Sequence, residues 1–446
     1  MRTVVAKFGG SSLATAAQFK KVKDIVRSDP ARRFIVASAP GKRCDDDIKV
    51  TDLLYQCYDE AAAGKNYEET LRQIRQRYAD IAGELGIDFP LDGELDIIRR
   101  HLDDAPARDY MASRGEYLNA RLLAAYLGFH FIDAANCVVF YRGGVLDKYA
   151  TYVSVAAILD GLDNAVIPGF YGADRLGVIR TFSRGGSDIT GAIVARGVKA
   201  NLYENWTDVS GMLTADPRIV PDPLPIDRIT YRELRELSYT GATVLHEDAV
   251  FPCRNAAIPI NIRNTNRPQD PGTMIVSDVP DADDGRPLTG VAGSRGYSSI
   301  LIEKTMMNSE IGFGRRVLHV LENNGLSFEY MPSGVDTMSI ILETAQLDTC
   351  RDKVLEGIRK ATEPDTLVVE DGLAIIAVVG HGIVGLKGSA ARIFSAIAKA
   401  DISIRMLDQG SSEFNIIVGV HDKDYEATIR AIYNEFFFDA RAVMGK

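Results

Sequence analysis

Lys7 leaves the apolar run Thr3-Val4-Val5-Ala6 and enters Phe8-Gly9-Gly10-Ser11-Ser12, a cation followed by two glycines and two hydroxyls. Adjacent glycines let backbone N–H groups approach an anion with no Cβ in the way. A helix opening near Ser12 turns its positive end to the same spot. The segment suits a phosphate; read alone, it suits an ordinary capped turn between strand and helix equally well. A second glycine-rich opening, Arg184-Gly185-Gly186-Ser187-Asp188-Ile189-Thr190, precedes the apolar helical stretch Ile193, Val194, Val198. Arg184 can grip a carboxylate or phosphate through two parallel N–H bonds, whereas Lys7 is a compact point charge. Two such openings suggest two anions held face to face, although Asp188 by itself is equally a first-turn acid satisfying the helix dipole. A third polar cluster, Asn205-Trp206-Thr207-Asp208-Val209-Ser210-Gly211 followed by Thr214-Ala215-Asp216-Pro217-Arg218, offers loop groups for a ribose and a polyphosphate.

Taken together, KFGGSS at the start, SRGEYLNARLL at 113–123, SRGGSDIT at 183–190, TDVSGMLTADPRIV at 207–220 and GATVLHEDAV at 241–250 resemble the aspartokinases, along nearly the whole chain. Several long motifs in one order are far more specific than any single glycine pattern. The resemblance implies ATP-dependent phosphorylation of the β-carboxylate of L-aspartate, the first step towards lysine, threonine and methionine, with Mg²⁺ carried by ATP and no metal ligand assigned to the protein. It implies that Lys7 and Asp188 are catalytic, with Asp188 a polar organiser near the transferred phosphoryl. Glu116 falls on the substrate ammonium and Arg184 on the α-carboxylate, with Ser12, Thr51 and Ser187 as hydrogen-bonding neighbours. Nucleotide contacts fall to Lys7, Gly9, Gly10, Ser11, Thr207, Asp208, Asp216 and Arg218. Two positions depart from the family pattern: Leu213 stands where many relatives have tyrosine, and Thr243 where they have lysine.

This chemistry is consistent with the residues. A free aspartate carboxylate, with a pKa of about 3.9, is already ionised near neutrality and needs no general base. The difficulty is repulsion between an anionic nucleophile and an anionic triphosphate, so the site must supply cations and N–H dipoles and hold the partners in line. Without the resemblance, Glu116 is one acid among many on a helix, and His246 is a structural hydrogen bonder.

The elements that must hold these groups alternate up to about residue 262. Short β-rich runs (Val4-Val5, Phe34 to Ala37, Val138 to Phe140, Ala165 to Ile167, Ile260 to Ile262) alternate with helical stretches, which argues for a largely parallel sheet covered by helices. A helical insertion is expected over about 50–125. Composition shifts to Pro, Asp, Gly and Ser from Asn264 to Ser299, apart from a β-like Thr273 to Val276, and reads as a domain boundary. Beyond it lies an internal repeat: Val317, Leu318, Leu321, Leu326, Phe328, Ile340 and Ile341 recur as Ile393, Phe394, Ile397, Ile402, Ile404, Ile416 and Ile417 at one constant spacing. The copies have turns at Ser333 to Asp336 and Gln409 to Ser412, and they resemble tandem ACT domains, small βαββαβ modules that bind amino acids.

The expected fold is therefore α/β: an amino-acid-kinase-like αβα sandwich with a mostly parallel sheet over 1–295 (linker about 264–299), then ferredoxin-like βαββαβ regulatory domains over 298–370 and 371–446. The tandem repeat points to an effector, lysine or threonine, at Ser309, Gly312, Phe313, Gly314, Glu329, Asp336 and Thr337. It also points to self-association through these domains, as a homodimer or a dimer of dimers. Gly380-His381-Gly382-Ile383-Val384-Gly385 matches a dinucleotide fingerprint, but the first copy has Met307 to Gly312 in the same place without it, and a repeat with a tight strand turn lacks the parallel crossover such a site needs.

Composition fits and excludes other classes. With 51 Lys+Arg against 61 Asp+Glu, the net charge of −10 argues against a nucleic-acid surface. Cys44, Cys57, Cys137, Cys253 and Cys350 are scattered, odd in number and free of CxxC, as expected of reduced cytoplasmic thiols. No apolar run is long enough to span a bilayer. Two other readings stay open: another carboxylate or carbamate kinase, such as a glutamate kinase, and a pseudoenzyme that senses amino acids.

Overall fold

The strand Val4–Phe8 is buried along its whole length and lies between Arg32–Ala37 and Leu202–Thr207, parallel to both. Val and Ile fill such strands because a parallel sheet has no solvent face. The computed structural model describes residues 2–104, 106–183, 185–241, 245, 247–277, 288–383, 387–410 and 414–444, which divide into two units.

The first unit comprises Met1–Met212, Pro225–Tyr231 and Val244–Val279. Its eight-stranded sheet runs Arg228–Thr230, Thr273–Val276, Ile260–Asn264, Leu202–Thr207, Val4–Phe8, Arg32–Ala37, Ala165–Pro168, His130–Phe131. Every pairing is parallel except that between Ile260–Asn264 and Thr273–Val276. Side chains alternate across the sheet. Ala6 and Phe8 enter the core shared with the helices Ala16–Ser28, Val50–Ala62, Glu68–Leu85, Leu91–Asp104 and Arg108–Leu127. Val5 and Lys7 therefore face the other way, towards the helix Gly186–Gly197, which packs on the strand.

Local sequence explains the helices. Thr15 caps Ala16–Ser28 by accepting a hydrogen bond from Gln18 N, and Phe19, Val22, Ile25 and Val26 recur at helical spacing on its buried face. Arg108–Leu127 is buried nearly all round, as befits a helix enclosed by others rather than one lying on a surface. That burial sets the environment of Glu116.

Two expectations need correction here. Val139–Phe140 forms a strand, but in a separate three-stranded sheet with Tyr171–Asp174 and Ile179–Thr181. Thr273–Val276, expected inside a boundary segment, is a strand of the main sheet, because its Thr273 and Ile275 positions are buried against Ile260–Asn264.

The second unit comprises Leu213–Leu224, Arg232–Thr243 and Pro280–Lys446. It holds one antiparallel five-stranded sheet ordered Thr337–Glu343, Gly290–Glu303, Thr366–Val379, Asn415–His421, Met406–Asp408. The two long central strands each serve both βαββαβ copies. Gly296 and Gly372 hold positive φ (90° and 73°) where these strands pass from one copy to the other, and the register slips on both sides of Tyr297. Phe313–Asn323 and Arg351–Thr362 cover the first copy; Ser389–Lys399 and Tyr425–Met444 cover the second. The fourth strand of the second copy is Gly290–Arg295, paired with Ala374–Val379. The linear boundaries at 295, 298 and 371 therefore do not hold: one copy is inserted within the other, and residues assigned to the kinase piece complete its sheet. Repeat periodicity cannot show this, because a strand donated from upstream carries no copy of the repeat. The short strand expected near Leu326 and Phe328 appears only as bridges from Tyr330 to Ile341 and Ser333 to Met338. Gly380 follows an antiparallel strand, which supports setting aside the dinucleotide reading; Val384 and Gly385 lie outside the described residues.

A buried ionic group ties three strands of the first unit together. Glu204 accepts from Arg32 Nε at 2.6 Å, from Trp206 Nε1 at 2.9 Å and lies 3.7 Å from Arg263 Nη1, while both guanidiniums sit over the Trp206 ring. Removing the carboxylate strands the buried Arg32 and the half-buried Arg263. Glu204→Ala is expected to lower the unfolding free energy by about 3–5 kcal/mol in urea titration.

Candidate active site

Lys7 reaches the C-terminal end of its strand as a cation almost wholly out of water, 7% exposed. Such a charge persists only with partners. Its Nζ lies 2.5 Å from Asp188 Oδ1 and 3.4 Å from Asn205 Oδ1, and Asn205 Nδ2 donates to the same Asp188 oxygen at 2.9 Å. Strand register explains half of this triangle, since Lys7 stands directly opposite Asn205. The other half comes from Gly185, whose positive φ of 59° starts the helix Gly186–Gly197 and puts Asp188 in its first turn.

The glycine cradle follows immediately. Gly9 N donates to Trp206 O, and the turn Gly10–Leu13 begins there. A Cβ on Gly9 would lie 3.5 Å from Lys7 Nζ, so the glycine keeps the ammonium accessible from the cradle. Ser12 is buried and hydrogen-bonds Thr265 Oγ1 at 2.7 Å. Ser187 is buried too, packed so closely on Gly169 that a Cβ there would sit 2.6 Å from it. Thr51 stands half-buried in the first turn of Val50–Ala62. The next residue after Gly169, Phe170, has φ 75° and is held by Thr190 Oγ1 and Phe182 N. A non-glycine residue in that region costs of order 1–3 kcal/mol and is retained where the surroundings demand it.

Glu116 is the most unusual group. It is 6% exposed and its Oε2 has no hydrogen-bond partner among the described residues. Desolvation pushes its pKa up to about 8, against the opposing pull of the Ala39 amide, its own amide, and the Arg114 and Lys7 charges. A buried carboxylate with an unfilled lone pair is a site prepared for a cation.

The remaining expected residues divide. Thr207 Oγ1 donates to Asp208 Oδ1 at the exposed end of Leu202–Thr207, and Thr265 N donates to Thr207 O. Asp216 and Arg218 belong to the second unit, where they pair at 2.6 Å, lowering the Asp216 pKa and raising that of Arg218. Leu213 is in that unit as well, partly exposed. Arg184, Thr243 and His246 lie outside the described residues. Among the described residues no group of three His, Cys, Asp or Glu side chains is placed to hold a metal.

The two expected effector segments are joined in the second unit. Met306 N donates to Asp336 Oδ1, Lys304 N to Asp336 O and Asn308 N to Val335 O, so the loop bearing Ser309 abuts the turn ending at Thr337. Gly312, at φ 79°, starts the helix that carries buried Phe313 and then Gly314, and Glu329 accepts from the Tyr239 hydroxyl.

Sequence reading missed the partnership of Asn205, grouped with loop residues although it is on a strand, and it missed Gly169, Phe170 and Thr265. The apolar run ending in Pro168-Gly169 marked a strand end where such residues collect; nothing local marked Thr265.

Residues 2–264 match the amino acid kinase family and residues 376–436 match the ACT domain. The chain is 40% identical to aspartokinase 3 of Bacillus subtilis (strain 168), covering 97% of this chain and 98% of that protein. It superposes on the crystal structure of Clostridium acetobutylicum aspartate kinase with a TM-score of 0.90 and 49% identity, over 98% of this chain and all of that one. Against Escherichia coli aspartokinase III in complex with lysine and aspartate, the TM-score is 0.73 at 25% identity, over 98% and 99% of the two chains.

Because Glu116 is protonated in the folded chain up to about pH 8 but ionised above the ordinary carboxylate range when unfolded, the folded state binds the extra proton between those limits. Its contribution to stability is fully present at acid pH and falls as pH rises towards 8. Unfolding free energies of the ligand-free protein at several pH values should show that decline, and Glu116→Gln should flatten it.

Proposed function

The chain belongs to the amino acid kinase family and, within it, to the aspartokinases, and from that premise we propose how this site phosphorylates the β-carboxylate of L-aspartate with ATP to give 4-phospho-L-aspartate. The observation that carries the proposal is the pairing of a compensated buried cation with an uncompensated buried acid: Lys7 on Asp188 and Asn205, Glu116 with an open lone pair.

Lys7 and the amides of Gly9, Gly10 and Ser11 receive the phosphates. As negative charge redistributes over the transferred group, Lys7 stabilises it, and Asp188 with Asn205 holds the ammonium in place beforehand, so no reorganisation is needed at the moment of transfer. Magnesium brought by ATP screens the same charge. Glu116 takes the substrate ammonium, which returns its pKa towards the ordinary carboxylate range. Arg184 takes the α-carboxylate, and Ser12, Thr51 and Ser187 complete the pocket. Only the β-carboxylate then points at phosphorus, and it attacks as the anion it already is. Thr207 and Asp208 are assigned to the nucleotide.

The ACT copies are assigned an amino-acid effector, lysine or threonine, at Ser309, Gly312, Phe313, Gly314, Glu329, Asp336 and Thr337. They are also assigned self-association into a homodimer or a dimer of dimers. The lysine complex of the Escherichia coli relative supports lysine first. Titration calorimetry with each amino acid should give binding heat for the effector, and the same amino acid should change turnover.

The reaction is tested by ATP-dependent hydroxamate formation from L-aspartate and hydroxylamine, beside L-glutamate. Product with aspartate alone supports the reading. Product with glutamate turns it to the other carboxylate kinase, and none with either acid turns it to an amino-acid sensor. Lys7→Ala should lower kcat about 10²–10³-fold with little change in aspartate KM. Glu116→Gln should raise aspartate KM roughly ten- to hundredfold, the loss of one charged hydrogen bond.

A further inference from the structure

Arg77, on the helix Glu68–Leu85, is 4% exposed, and no motif of the sequence includes it. Its guanidinium serves three acceptors. Nη1 donates to Gly41 O at 3.1 Å, and Nη2 donates to Asp47 Oδ2 at 2.6 Å and to Ile48 O at 3.2 Å. Arg43 grips the same Asp47 carboxylate, its backbone N–H and Nε donating to Oδ2 and its Nη2 to Oδ1. All these acceptors lie in the segment 41–48, between the strand Arg32–Ala37 and the helix Val50–Ala62.

That segment borders both halves of the site. At its start, Gly41 N donates to Gly10 O at 2.9 Å. A Cβ on Gly41 would lie 2.7 Å from the Gly10 carbonyl carbon and 2.9 Å from Ser11 N. Just upstream, Ala39 packs so closely on Gly115, the neighbour of Glu116, that a Cβ on that glycine would sit 2.8 Å from Ala39 Cβ, and Asn119 Nδ2 donates to Ser38 O at 2.6 Å. At its end it opens the helix that carries Thr51. One stretch of backbone thus abuts the phosphate cradle, the buried acid and Thr51.

We infer that Arg77 is a positioning residue for the reaction, its fork fixing residues 41–48 so that the Gly9–Ser11 amides and the Glu116–Thr51 pocket keep their mutual geometry. The inference rests on the aspartate kinase reading. A lysine in its place carries the charge but cannot serve two carbonyls and a carboxylate from one planar head. Displacing the segment misplaces the donor and acceptor sides together, and a misplacement of about 1 Å costs on the order of a hundredfold in rate.

The test compares kcat and KM for aspartate and for ATP in the parent, Arg77→Ala, Arg77→Lys and Arg72→Ala, the last an exposed arginine of the same helix. Melting temperatures are measured alongside. Arg77 lines a solvent-open recess with Arg43, Asp47, Gln73 and Gln76, so added guanidinium at non-denaturing concentration can reach the vacated place. The expected result is a drop in kcat/KM for both substrates of about ten- to a hundredfold in Arg77→Ala. Arg77→Lys should fall between it and the parent, Arg72→Ala should match the parent, and guanidinium should partly rescue Arg77→Ala. A purely structural role predicts the opposite response to guanidinium, which would only weaken a destabilised fold. Parent-like constants in folded Arg77→Ala, or a loss that guanidinium does not relieve, overturn the inference. Should Arg77→Ala not fold, Arg77→Lys decides: reduced kcat/KM for both substrates at an unchanged melting temperature supports it, and parent-like constants overturn it. A parent inactive on aspartate overturns the functional reading instead. Titration with a fluorescent ATP analogue then decides the positioning role, weaker binding in the variant supporting it and equal binding overturning it.

Discussion

A lysine ammonium buried at the end of a central strand must be neutralised, and much of the first unit is arranged around that requirement. Lys7 is almost wholly out of water, so Asp188 and Asn205 must be brought to it from far along the chain. The parallel sheet supplies Asn205 by register, and the helix Gly186–Gly197 supplies Asp188 because a left-handed glycine lets it begin at the strand ends. Parallel strands all finish on the same edge, so helix N-termini and strand C-termini converge there. The glycine cradle uses that edge for the same reason: its amides point where the positive ends of helices already point.

Glu116 is the counterpart of Lys7, with the opposite treatment. Both are buried, yet the cation is satisfied and the acid is left short of a partner. An enzyme that binds an amino acid gains from this asymmetry. On the proposed assignment of Glu116 to the substrate ammonium, the cost of burying the acid is incurred in folding and would be relieved when the ligand arrives, which would favour the occupied site over the empty one. The enclosing helices make this possible; on an exposed helix the same glutamate would keep its ordinary pKa and bind little.

The second unit solves a different problem. Two βαββαβ copies laid end to end would expose an edge strand where they meet. Sharing two long strands, each bending at a glycine, joins the copies into one sheet. The same sharing makes the strand Gly290–Arg295 part of the later copy although it precedes the earlier one.

The order of motifs, the glycine-rich openings and the internal repeat determined by themselves the family, the alternation of strands and helices, and the two segments that hold Lys7 and Asp188. These features are legible because each depends on contiguous residues: a glycine where the backbone must turn, a hydrophobic period where an element must pack. Only the tertiary structure decided that Asn205 completes the Lys7 site, that Glu116 is desolvated, that Arg77 grips the segment beside the cradle, and that one regulatory copy sits inside the other. Each of these depends on strand register or burial set by residues far apart in the chain. No local pattern encodes which distant backbone will arrive to pair with a given residue or shut water away from it.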